Sequence, residues 1–138
     1  MNYGRIVLAA IGGMVVFFVL GGLLQATPLA KEYGAYPGVF RQKDAIMSRM
    51  PIGITGILVA ILAVAVIYAT TYSGGSGLAA GARLGVLVGI FAACAFEAHN
   101  FTILNIGSRI ALELAATAIV QWTLITMAIG LIYKPVLR

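Results

Sequence analysis

From Ile6 to Leu24 the chain runs nineteen residues without a charge, and from Ile52 to Tyr72 another twenty-one. A helix rises about 1.5 Å per residue, so roughly 20 apolar residues cross the about 30 Å of hydrocarbon in a bilayer. Two further apolar runs follow: Leu84 to Leu104 carries Glu97 and His99, and Ile110 to Tyr133 carries Glu113. Together the runs predict an all-α polytopic membrane protein with four transmembrane helices in an up-down bundle. The spans are expected at about 6–24, 52–72, 84–104 and 110–133, within a single membrane domain covering 1–138. The first run exceeds a typical signal-peptide core and no small-x-small cleavage site follows it, so it reads as a retained helix.

Charge points the same way. Only 9% of residues are charged and 62% are hydrophobic, whereas soluble domains are near a quarter charged. The formal balance of +5 comes without any dense basic run, which argues against nucleic acid and for lipid headgroups. One Cys and one His exclude a disulfide scaffold and a zinc ribbon. With an even number of spans, Arg5, Arg83, Lys134 and Arg138 share one side and Lys31, Arg41, Lys43, Arg49 and Arg109 the other. Four cations against five do not orient the chain by the positive-inside rule. The lack of a translocation device at the N-terminus favours cytoplasmic termini in a bacterial inner membrane.

The loop 25–51 carries Tyr33, Tyr36, Pro37 and Phe40. Within it, Val39, Phe40, Ile46, Met47 and Met50 recur at helical spacing against polar neighbours. This predicts an amphipathic interfacial segment over Val39–Met50 that ends at Pro51, where a helix start tolerates proline. Tyr36, Phe40, Arg41, Lys43 and Arg49 are its candidate lipid or partner contacts. At the other connections, Ser73 to Gly77 is a helix-breaking run, Pro135 closes the last span, and Ser108 follows Gly107 as a candidate cap.

Ionisable groups inside a span are costly and need an account. Asn100 shares the face of Glu97 and is placed to hydrogen-bond it, while Glu113, Thr117 and Gln121 form a stripe at four-residue steps. Hairpin geometry about Gly107 sets Asn100 level with Glu113, and Glu97 level with Ala116 and Thr117. Glu97, Asn100, Arg109, Glu113, Thr117 and Gln121 are therefore the expected polar zone beneath the long loop. Packing is one use for it, through interhelical bonds and an Arg109–Glu113 pair. Proton or cation binding by a buried carboxyl is the other. His99 lies roughly 200° around a helix from Glu97, which disfavours a joint metal site. As a lone ligand it suits haem or a chlorophyll-type pigment.

Gly81, Gly85 and Gly89, continued by Ala93, make a small-xxx-small ridge that lets another helix approach to backbone contact. Cys94 is expected to be a buried, inert thiol. No phosphate loop, nucleophile elbow or His-rich motif is present, and nothing in the sequence assigns an enzyme.

In layout the chain resembles small four-helix integral membrane proteins of bacteria whose families carry no assigned activity. The resemblance rests on Leu20-Gly21-Gly22, the Gly-Ala-Arg-Leu-Gly run at Gly81–Gly85, His99-Asn100-Phe101 and Gln121-Trp122. It implies a fold and no chemistry. The four-helix membrane enzymes that use glutathione are of similar size, but their Glu-Arg hallmark is missing because Ala98 follows Glu97.

Three functions follow in order. The first is a non-catalytic accessory subunit held by other membrane subunits. The second is a small oligomeric proton, cation or solute transporter using Glu97, Asn100 and Glu113. The third is a pigment- or haem-binding membrane protein ligated by His99.

Overall fold

The computed structural model describes residues 1–25, 28–41 and 43–133. It is all-helical, with four helices long and apolar enough to cross a membrane. Gln42, Lys134, Pro135 and Arg138, which entered the loop, orientation and helix-end expectations, lie outside the described residues.

Helix α1 spans Tyr3–Gln25. Asn2 starts it, because its Oδ1 accepts from the Arg5 N–H at 3.1 Å and its carbonyl from the Ile6 N–H. A short helix α2, Pro28–Gly34, follows. Helix α3 then runs unbroken over Lys43–Thr71 with Pro51 inside it. This revises the expected boundary at Ile52 and the separate segment over Val39–Met50: Lys43 to Met50 is the first two turns of α3. Proline removes one helical hydrogen bond, and hydroxyl groups on either side engage other local carbonyls. Ser48 donates to Ala45 O and Thr55 to Pro51 O at 2.8 Å, while the carbonyl that loses its N–H partner is that of Met47, so the helix continues through Pro51 with one bond fewer.

Thr71 ends α3, and Gly74 and Gly75 turn the chain with φ of +108° and +89°, values that glycine adopts without a Cβ clash. Ser76 caps the next helix through the Ala79 N–H, so this span starts at Gly77, seven residues before the expected Leu84. It comprises α4 (Gly77–Ala92), a π-helical turn (Ala93–Ala98) and α5 (His99–Ile103). Helix α6, Ser108–Ile132, completes the chain. Its cap position is Gly107, in extended conformation, and Ser108 is already helical. The expected serine cap is therefore absent.

The closest pairing is α4 on α6. A Cβ on Gly89 would lie 2.6 Å from Ile119 Cα, and one on Gly81 would lie 2.9 Å from Met127 Cα. At Gly85 it would meet Thr126 Oγ1 and lie 2.6 Å from Thr123 Cα, and Gly77 faces Gly130 in the same way. The backbones touch along this seam because no side chain separates them. Ala93, at the start of the π turn, is buried beyond Gly89. Thr126 is fully buried and donates to Trp122 O at 2.7 Å, so its hydroxyl is satisfied within its own helix.

Helix α1 packs on α6 and α3. Gly13 sits against Ile61, Ile125 and Ile129. Those isoleucines join Ile6, Tyr68 and Tyr133 in the main core, which gathers the start of α1 with the ends of α3 and α6. Tyr68 donates to Gly77 O at 3.1 Å and meets the Tyr133 ring edge-on, tying the same end to the start of α4. A second, smaller core at the opposite end joins Leu29 of α2 to Ile106, Ile110 and Ala111.

Candidate functional site

Between the two cores the helices leave a cavity of about 190 Å³. Tyr33 of α2, Glu97 of the π turn, and Thr117 and Gln121 of α6 supply its polar lining. Gly21 and Leu24 of α1, Leu29 of α2 and Leu114 of α6 supply apolar wall. Among the described residues, none of the four polar side chains makes a hydrogen bond or ion pair with another group of the chain. All four are half-buried, and among the described residues no buried side-chain nitrogen or oxygen lacks a partner, so these groups keep free hydrogen-bonding capacity that a polar occupant of the cavity can use.

The π turn brings Glu97 there. Lengthening the turn to i→i+5 bonding gives this segment one more residue per turn, and such turns recur at functional sites. Glu97 stands half-buried on the cavity. The same widened turn leaves Cys94 exposed, contrary to the buried thiol expected. His99 is exposed too.

Tyr33 was not singled out as a site residue, since nothing in the order of residues tells a loop aromatic from a cavity wall. Its position depends on α2, which is docked by buried Leu29 and by the Tyr33–Phe40 ring pair at 4.7 Å. Burial and, second, the nearby Glu97 charge push the Tyr33 phenol above its ordinary pKa. The group therefore stays protonated and able to donate throughout the neutral range.

The expected polar zone divides in two. Glu97, Thr117 and Gln121 meet at the cavity. Arg109 and Glu113 lie outside it, joined by a 3.0 Å Nε–Oε1 bond on one face of α6, with Glu32 of α2 at 3.7 Å from the same nitrogen. The guanidinium is 71% exposed, and a pair in that setting orients α2 more than it stabilises the fold. Asn100 is half-buried and makes no hydrogen bond to Glu97.

The loop residues divide likewise. Tyr36 and Phe40 turn inward: the Tyr36 hydroxyl accepts the Gly107 N–H at 3.0 Å, and the two rings pack edge-on. A side chain on Gly107 would strike that hydroxyl. Arg41, Lys43 and Arg49 are exposed. Tyr36→Phe is expected to free the Gly107 amide, lowering stability by about 1 kcal/mol and speeding hydrogen exchange at Gly107 and in α2, as measured by mass spectrometry. Unchanged exchange there would show that the bond does not hold the loop.

The chain matches no protein-family model, no curated protein sequence and no solved structure.

Proposed function

We propose that the chain is a small multi-pass membrane carrier that binds a proton or small cation at Glu97. Four antiparallel spans would form an up-down bundle in a bacterial inner membrane, with the termini cytoplasmic and the cavity in the half of the bundle beneath the long loop. The carrying observation is Glu97 itself: a carboxyl on a π turn, lining a cavity with Tyr33, Thr117 and Gln121, with no cationic side chain in the lining among the described residues. Intramembrane carboxyls in cavities commonly mark ion and proton pathways. Beyond Gln121 the interior is filled by Ile125, Ile129, Ile61 and Tyr68. This favours a carrier that exposes its site to one side at a time over an open pore. Asn100 and Glu113, away from the cavity lining, serve packing and α2 placement in this reading.

Proteoliposomes test it. Purified protein is expected to dissipate an imposed proton or monovalent-cation gradient, and Glu97→Gln to reduce that flux at least tenfold, which corresponds to about 1.4 kcal/mol. Equal flux from both proteins, or none from either, would overturn the reading.

The accessory-subunit reading draws on a different observation. Between Lys43 and Ala60 no residue of α3 is buried, and Ile52 is 75% exposed, which leaves an apolar face for another membrane subunit as well as for lipid. Gentle-detergent purification at native abundance would decide it: a particle holding only this polypeptide speaks against a hetero-complex.

A further inference from the structure

The Glu97 cavity does not end at its polar wall. An apolar groove of about 280 Å³ adjoins it, and the two share Leu24, Thr117 and Gln121 as common lining. The groove runs between α1 and α6, where Leu23 and Val120 are both more than half exposed, so it faces the surroundings of the bundle. Its origin lies in how the two helices diverge. At Gly13 a Cβ would lie 2.9 Å from Ile61 and 3.2 Å from Ile125, whereas at Gly21 it would meet nothing within 4 Å. The helices are in contact at one end and parted at the other, and the cleft opens sideways into what the spans assign to bilayer hydrocarbon.

Joined in this way, the two spaces ask for a ligand with two chemistries. We infer that they form one site for a single-chain amphiphile with a protonated amine head, the head on Glu97 and the chain in the α1–α6 groove. The inference rests on Glu97 being a cation-binding group, as proposed above. The head must be positive, because among the described residues the lining offers one carboxylate and no Lys, Arg or His. Thr117, Gln121 and the Tyr33 hydroxyl give the ammonium protons further acceptors. The same lining disfavours a phospholipid amine, whose phosphate would be brought against Glu97 with no cation to receive it. Arg109, the nearest cation along α6, is engaged with Glu32 and Glu113 instead. Each space alone is small, while together they approach the size usual for small-molecule sites. The open flank lets the chain arrive from the bilayer without crossing the α2 cover.

Carbodiimide labelling of the full chain in lipid nanodiscs tests the site at its own carboxyl. Dicyclohexylcarbodiimide is expected to label Glu97, as located by peptide mass mapping. Dodecylammonium should slow that labelling at least tenfold at a concentration where propylammonium and dodecanol do not. Val120→Trp, which fills the groove from an exposed position, should leave labelling intact but abolish protection by dodecylammonium. Equal protection by propylammonium would overturn the role of the chain while leaving Glu97 as a cation site. Equal protection by dodecanol would overturn recognition of charge, as would protection that survives Val120→Trp overturn the groove. Absence of Glu97 labelling without any amphiphile would overturn both this inference and the cation-binding reading beneath it.

Discussion

Gly85→Leu is expected to separate α4 from α6 and lower stability by about 3 kcal/mol or more, the upper range for overpacked interiors. A Cβ at this position would meet the Thr126 hydroxyl, lie 2.6 Å from Thr123 Cα and 2.9 Å from Trp122 O. Two of those neighbours are backbone, and backbone yields only by moving the helix. The seam also runs through Gly77, Gly81 and Gly89, so displacement at its middle would disturb packing on both sides. Gly56→Ala supplies the contrast, since nothing lies within 4 Å of a Cβ there. Alanine favours the helix over glycine by about 1 kcal/mol, and this variant is expected to match the parent or exceed it slightly. Thermal unfolding in one detergent, followed by circular dichroism, compares the two. Similar melting of Gly85→Leu and parent would mean that the α4–α6 seam does not hold the bundle together.

Glu97→Leu is expected to move stability and activity in opposite directions. A charged side chain at the centre of a span costs about 2.5–3.5 kcal/mol on insertion scales. Glu97 is half-buried and faces a cavity, so removing it should recover less, about 1–2 kcal/mol of that range. Leucine would also place an apolar surface against Leu24, Leu29 and Leu114. Ion flux should fall to the background of empty liposomes, because no carboxylate is left in the lining. Higher stability with lost activity is the pattern of a residue kept for function at a cost in folding. A variant that unfolds earlier and still carries flux would place Glu97 among the packing residues.

What was legible in the sequence follows from what depends on local pattern. Four spans could be read because crossing hydrocarbon is a requirement on length and polarity, which consecutive residues state directly. That α4 offers a face for close helix approach could be read because glycine at every fourth position leaves that face without side chains, but the pattern does not say whether the partner lies in this chain or in another. The start of α3 at Lys43 could not, since proline ordinarily marks a helix start, whereas here it stands inside a continuous helix. The π turn had no signal either: Ala93 to Ala98 suits an ordinary helix equally well. That one turn holds both Cys94, which is exposed, and Glu97, which lines the cavity. Tyr33 was hidden for a third reason, because α2 is seven residues long and is held by tertiary contacts at Leu29 and Phe40.

An ion bound at Glu97 can be observed directly at its carboxyl carbon. The chain has three glutamates, Glu32, Glu97 and Glu113, so protein with ¹³C-labelled glutamate carboxyls in proteoliposomes should give three side-chain signals. Glu97→Gln identifies the one that belongs to Glu97. The expected result is that this signal titrates with bulk pH and shifts when methylammonium is added, while the Glu32 and Glu113 signals do not respond to the amine. A Glu97 signal that ignores both pH and methylammonium would contradict the account, for it would describe a carboxyl sealed in the fold and out of reach of any ion.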